Sequence, residues 1–300
     1  MKEILVIYYS QSGQLKEITG NLLSSLEESV DYNISYKEIQ PVKPYSFPWN
    51  SRDFFDVFPE SVLGITCDIK EINFEDKKYD LIILAHQIWY LSPSIPFWSF
   101  LQNDKYKHIF KDTNVITLVG ARNMWVMALK DISKRLKEIG AKHIGNIVFV
   151  DKHNNLVSVL TIEKWMYTAN KGPYKVLPEA GVSKKEIKEA SKFGLIIDNA
   201  LKNDDFDSFQ KNIVAAGGVS INYAIKTAEK NGKRIFKIWA KKIINTKSEK
   251  RVFLLKIFKY YLLFLIFVLS PIAYVLFMII YYLFYPITNK KLSDILLLRL

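Results

Sequence analysis

The chain has 300 residues, 49% of them hydrophobic, a formal net charge of +12 and a single cysteine, Cys67. That length and apolar content support one large core with material to spare, and one cysteine excludes a disulfide framework and a cysteine-based metal centre and fits a reducing compartment. The charge is uneven, with +9 on residues 233–259, +2 on residues 290–300 and only +1 on residues 1–232, so the basic balance is no argument for nucleic acid, and no nucleic-acid partner is expected.

Residues 3–9, Glu-Ile-Leu-Val-Ile-Tyr-Tyr, read as a buried parallel strand, with no signal-peptide pattern before it. Ser10-Gln-Ser-Gly-Gln14 follows and places two hydroxyls and a permissive glycine where a helix over residues 16–28 exposes its unpaired N–H groups. This predicts a phosphate-binding turn. The spacing is that of neither the nucleotide P-loop nor the dinucleotide fingerprint. Further strands are predicted over residues 33–39, 79–85, 114–119 and 146–150, with helices over 95–102, 125–139 and 184–201. Alternation of this kind makes an α/β chain with a doubly wound, five-stranded parallel sheet over residues 1–205, whose ligand lies beyond the carboxyl ends of the strands.

Two connections are longer than usual. Residues 40–78 contain Pro41, Pro44, Pro48, Phe54, Phe55, Phe58 and Pro59, and residues 151–182 contain Trp165, Met166, Tyr167, Tyr174 and Pro178; both are expected to be lids, substrate walls or covers for the sheet edge. His86 closes the third strand, where a doubly wound fold puts its chemistry, and is the candidate general base there, but with no carboxylate partner near it in sequence a structural histidine is the preferred reading. The four histidines show no metal-ligand spacing, so no metal site is expected.

Residues 206–259 read as a basic, amphipathic helical linker: from Lys233 onward Ile235, Phe236, Ile238, Trp239 and Ile243 share one face, and Lys233, Arg234, Lys237 and Lys241 the other. Residues 260–289 contain no charge and exceed the roughly 20 apolar residues that a membrane span needs, which predicts a membrane-inserting segment bent at Pro271 and then a short tail, residues 290–300. The basic cluster before it suits an anionic lipid surface and the cytoplasmic side of the inner membrane. A shallow re-entrant hairpin with both ends cytoplasmic is the competing topology.

The turn Tyr8-Tyr-Ser-Gln-Ser-Gly-Gln14 resembles that of flavodoxin-like FMN proteins, and Val6-Ile-Tyr-Tyr-Ser-Gln-Ser-Gly-Gln-Leu-Lys-Glu17 is similar to the dialkylresorcinol condensing enzyme family of bacterial pigment biosynthesis. The resemblance implies an FMN cofactor with its phosphate at Ser10, Gln11, Ser12, Gly13 and Gln14; Leu15 stands where flavodoxins usually have a third hydroxyl. It implies that Trp89 and Tyr90 lie against the flavin ring with Ser92 at the ring edge, and that Gly120, Ala121, Arg122 and Asn123 meet its pyrimidine end. Tyr90, Arg122 and His86 are then the candidate catalytic residues. The expected activity is that of a membrane-anchored FMN oxidoreductase aromatising a lipophilic dialkyl cyclohexanedione, with a quinone and a ketosynthase of the same pathway as further partners. A quinone-linked protoporphyrinogen oxidase of flavodoxin type and a non-catalytic membrane scaffold are the alternatives.

Overall fold

A computed structural model describes residues 1–300. In chain order the elements are β1 (Lys2–Tyr8), α1 (Gln14–Glu27), β2 (Tyr32–Glu38), α2 (Ser51–Asp56), α3 (Phe58–Leu63), β3 (Leu81–Trp89), β4 (Ser92–Pro93), α4 (Ile95–Gln102), a 3-10 turn (Asp104–Phe110), β5 (Asn114–Ala121), α5 (Val126–Glu138), β6 (Lys142–Val150) and α6 (Asn155–Thr168). They continue with α7 (Lys184–Lys188), α8 (Ser191–Asn203), α9 (Phe209–Ala215), α10 (Tyr223–Ile244), α11 (Ser248–Phe264), a π turn (Leu265–Leu269), α12 (Ser270–Leu283) and α13 (Tyr285–Leu296).

The sheet order is β2-β1-β3-β5-β6, all parallel, with the two-residue β4 folded back antiparallel on β3. Leaving β4 aside, this is the flavodoxin-like order 2-1-3-4-5, whose switch point lies between the first strand and its neighbour β3. The central strands are buried on both faces, as the run Ile4-Leu-Val-Ile7 requires. Ile4, Val6, Leu81 and Ile83 pack against α1 and α8 through Leu15, Ile18, Leu22, Phe193 and Ile197. Leu5, Ile7, Ile82 and Leu84 pack on the opposite face against Phe97, Phe100, Ile132 and Leu136.

Several elements differ from the sequence expectation. β3 runs four residues beyond Ala85, and the predicted helix over 184–201 is two helices, α7 and α8. The long connections hold helices of their own, α2 and α3 in the first and α6 in the second. The α/β unit also extends past residue 205. An added Cβ at Gly145 would lie 2.2 Å from Phe209 Cε1, so α9 packs directly on β6, and Val148 N–H donates to Gly218 O at 2.8 Å.

The basic segment is no linker. α10 docks on α3 and α5, and its polar face is partly interior: Lys233 is buried, its Nζ donating to Leu91 O at 3.1 Å and to Asp131 at 2.5 Å, whereas Ile238 is exposed. Ser248–Leu283, from α11 through α12, is long and apolar enough to cross a membrane. It runs antiparallel beside α10, with Phe258 near Phe236 and Tyr281 near Tyr223. Pro271, the predicted bend point, falls just after the π turn, where a bulged hydrogen-bond ladder relieves the proline ring. The last residues are not a free tail, because α13 buries Leu292 and Ile295, the latter among Val119, Trp125 and Val126.

Candidate functional site

At the carboxyl end of β1 the chain turns through Ser10–Gly13 into α1. Gly13 has φ 83°, a left-handed conformation that glycine adopts without the penalty other residues carry. The amides of Ser12, Gly13, Gln14 and Leu15 find no acceptor within the chain, and the Ser12 hydroxyl is equally free. Together with the positive end of the α1 dipole they form an anion cradle. The other polar side chains of the turn are engaged. Ser10 Oγ accepts from Lys16 N–H, Gln11 Nε2 donates to Ser46 O at 3.0 Å, and Gln14 Nε2 donates to Val182 O while its Oε1 accepts from Val182 N–H. Leu15 is a core residue under Gly120, and its amide remains available.

The cradle opens into a cleft of about 170 Å³ lined by Gln11, Ser12, Gln14, Gly120, Ala121, Arg122 and Trp89 together with residues from both long connections. Those connections supply Phe47, Trp49, Ile162, Trp165 and Met166, and Trp49 N–H donates to Met166 O at 2.8 Å, joining them across the opening. Trp89 is held edge-on by Tyr9, Tyr45 and Trp49, with centroids at 5.9, 5.0 and 5.6 Å. Edge contacts of this kind fix its plane. Gln87 Oε1 is buried beside the cleft with no hydrogen-bond partner. Arg122 Nη1 donates to Asn155 O, Asn155 Oδ1 and Ser158 Oγ. Burial pulls its guanidinium down to about 10, against the pull of Asp151, so it stays cationic at neutral pH.

Four sequence candidates lie elsewhere. Tyr90 and Leu91 form a two-residue turn with φ 47° and 62°, and that turn carries Tyr90 away from the cleft into a cluster with Phe58 and Phe236, where its hydroxyl donates to Phe54 O at 2.7 Å. Ser92, on the return strand, faces α10 in a groove with Lys233 and Lys237. His86 is fully buried on the α4 side of the sheet, stacked on Phe97 at 4.6 Å with both ring nitrogens unpaired. Burial lowers it to about 3, so it is neutral, sealed and unable to serve as a base for a cleft ligand. Asn123 turns to Asn155 and lines a neighbouring pocket with Asp151 and Glu229.

Sequence reasoning passed over Trp49 and Gln87. Trp49 sits among prolines in a connection without periodicity, whereas Gln87 had a signal: it extends the face of Ile83 and Ala85 one step beyond the core.

No family model matches the chain, and no curated protein matches it. Solved structures do: an FMN complex of a flavoprotein from Lactobacillus acidophilus is 22% identical, covering 49% of this chain and 93% of that one at a TM-score of 0.38. Oxidised flavodoxin 1 from Bacillus cereus is 14% identical over 65% and 95% of the two chains, with a TM-score of 0.35. A flavodoxin from the domain Archaea is 13% identical over 67% and 99%, with a TM-score of 0.34.

Proposed function

We propose that the chain binds FMN in this cleft and oxidises a lipophilic ring compound at a membrane surface. One observation carries the reading. Unpaired amides at the switch point face the same cleft as an aromatic wall and an orphaned buried acceptor. A ligand with a phosphate at one end and a planar ring bearing N–H donors at the other satisfies all three, and FMN is such a ligand. Its phosphate would be held by the amides of Ser12 to Leu15 and the Ser12 hydroxyl, its ring would lie against Trp89, and Gln87 Oε1 would accept from a ring N–H.

When bound, FMN supplies the two-electron acceptor that the reaction needs. A dialkyl cyclohexane-1,3-dione becomes a dialkylresorcinol by losing two electrons and two protons. No carboxylate or histidine lines the cleft, so the dione would enter as its acidic 1,3-enol or enolate, and the proton lost beside the departing hydride equivalent would pass to solvent at the cleft mouth. The Arg122 cation stabilises the enolate and any negative charge that develops on the ring system. Trp49, Trp89, Trp165 and Met166 exclude water from the reacting face. A quinone or oxygen would take up the electrons, and a ketosynthase would make the dione.

The apolar Ser248–Leu283 helix supports a membrane location, and the basic cluster beside it supports the cytoplasmic face of an anionic inner membrane. The test is anaerobic incubation of FMN-loaded protein with a long-chain dialkyl cyclohexanedione. The reading expects bleaching of the flavin absorbance with one resorcinol formed per chain, and substrate without effect on the spectrum would overturn the substrate assignment.

A further inference from the structure

The geometry points to an in-plane topology: Ser248–Leu283 lies flat on one anionic leaflet and does not cross the bilayer. This rests on the membrane reading and adds the orientation. Both ends of the helix are fastened to the α/β unit. At its start Arg251 forks to Asp56 Oδ1 and Glu60, at 2.8 and 2.9 Å, and Lys259 Nζ donates to Ser51 Oγ at 3.0 Å. Beyond its end α13 sinks Ile295 against Val119 and Trp125. There Leu296 O accepts from Gln210 Nε2 at 2.7 Å, and Gln210 Oε1 accepts from Asn146 N–H of β6. Between these points Tyr281 packs on Tyr223, and Asn222 Nδ2 donates to Tyr274 OH at 3.4 Å, so α12 is held against the start of α10.

A crossing would therefore tear α13 from its seat or draw α10 into hydrocarbon. α10 carries Lys226, Lys230, Arg234, Lys237, Lys241 and Lys242, and each cation at the bilayer centre costs roughly 2.5–3.5 kcal/mol. Lying flat carries neither cost.

The outward face suits a leaflet. Phe253, Ile257, Phe264, Val268, Val275 and Ile279 are exposed at helical spacing, and on α12 Ile272, Leu276 and Ile280 widen this into a broad apolar surface, while on α11 Leu254, Leu255 and Phe258 are buried in the domain. Exposed Lys250 and Lys256 stand at one end of this stripe and Lys290 and Lys291 at the other. A second copy of the chain would set these cations against their equivalents, whereas an anionic leaflet neutralises them.

The test uses full-length Cys67→Ser protein with single cysteines introduced as Ile257→Cys, Val268→Cys or Ile279→Cys, each labelled with NBD. Depth is read with shallow and deep lipid quenchers in vesicles of phosphatidylcholine and phosphatidylglycerol. The in-plane topology expects one common shallow depth for all three labels and at least tenfold weaker partitioning into pure phosphatidylcholine. A label at 268 near the midplane, with 257 and 279 towards opposite faces, would overturn it in favour of a span. Labels shielded from every quencher would overturn it in favour of a second copy. Protein that fails to float with any vesicle would remove the membrane reading beneath it, a result separate from the depth pattern.

Discussion

Lys233 Nζ donates to Leu91 O at 3.1 Å, tying α10 to a turn 142 residues earlier in the chain. Tyr90 and Leu91 both occupy left-handed backbone there, which costs roughly 1–2 kcal/mol per residue outside glycine and asparagine. Lys233, Asp131 and the Tyr90 hydroxyl together hold that turn and so set where Trp89, the residue before it, stands in the cleft. Lys233→Met is expected to lower stability by about 1–3 kcal/mol through the unpaired carbonyl and to weaken FMN binding, measured by denaturant unfolding and flavin fluorescence titration. Unchanged FMN affinity would detach the C-terminal helices from the geometry of the site.

Phe258 is fully buried and stacked on Phe58 at 3.7 Å, so α11 belongs to the fold of the domain. Phe258→Ala should cost about 3–5 kcal/mol through lost burial and the cavity it leaves, seen as a lower melting temperature in detergent. Ending the chain at Gly232 would cut α10 in the middle and expose Phe58 and Tyr90. The truncated protein is accordingly expected to aggregate. A soluble, stably folded truncation would show that α10 and α11 are an independent appendage.

At Gly13 an added Cβ meets nothing within 4 Å. The effect of Gly13→Val therefore comes from the backbone: a β-branched residue leaves the left-handed region and swings the amides of Ser12 to Leu15 out of convergence. FMN affinity should fall at least tenfold while the melting temperature of the apo protein moves little. Equal loss of stability and affinity would mean that the turn serves folding alone.

Burial pushes Glu229 up to about 7, although the amides of Met127 and Val126 and the Lys233 and Lys226 cations favour its charged form. A carboxyl whose pKa is raised on folding binds its proton more tightly in the folded state. Its contribution is complete below the unfolded value near 4.5 and lost as pH rises through about 7. The wild type should thus lose stability relative to Glu229→Gln between pH 4.5 and 7, on the order of 3 kcal/mol. Melting curves of both proteins across that range check it, and a pH-independent difference would refute it.

The sheet and the cradle were legible because they depend on local pattern: apolar runs mark β1, β3 and β5, and a Ser- and Gly-containing turn precedes an amphipathic helix. The structural reading of His86 is legible in the period of the strand, since Ile82, Leu84 and His86 share the face that α4 covers. Tyr90 and Ser92 were misplaced because the tight turn at 90–91 uses φ values that neither Tyr nor Leu advertises. The wrapping of α10 to α13 was illegible for a different reason. An amphipathic helix looks the same whether its apolar face meets lipid or α3, and the partner of Lys233 on the polar face, Asp131, is 102 residues away.

The central claim is an FMN site built on the amides of Ser12 to Leu15, and the visible absorbance spectrum of the full-length protein purified in mild detergent and supplied with excess FMN tests it most directly. After removal of free flavin, the account predicts a flavin spectrum, with one FMN released per chain on denaturation and none retained by Gly13→Val. A folded, colourless wild-type protein that leaves the fluorescence of added FMN unquenched would contradict it.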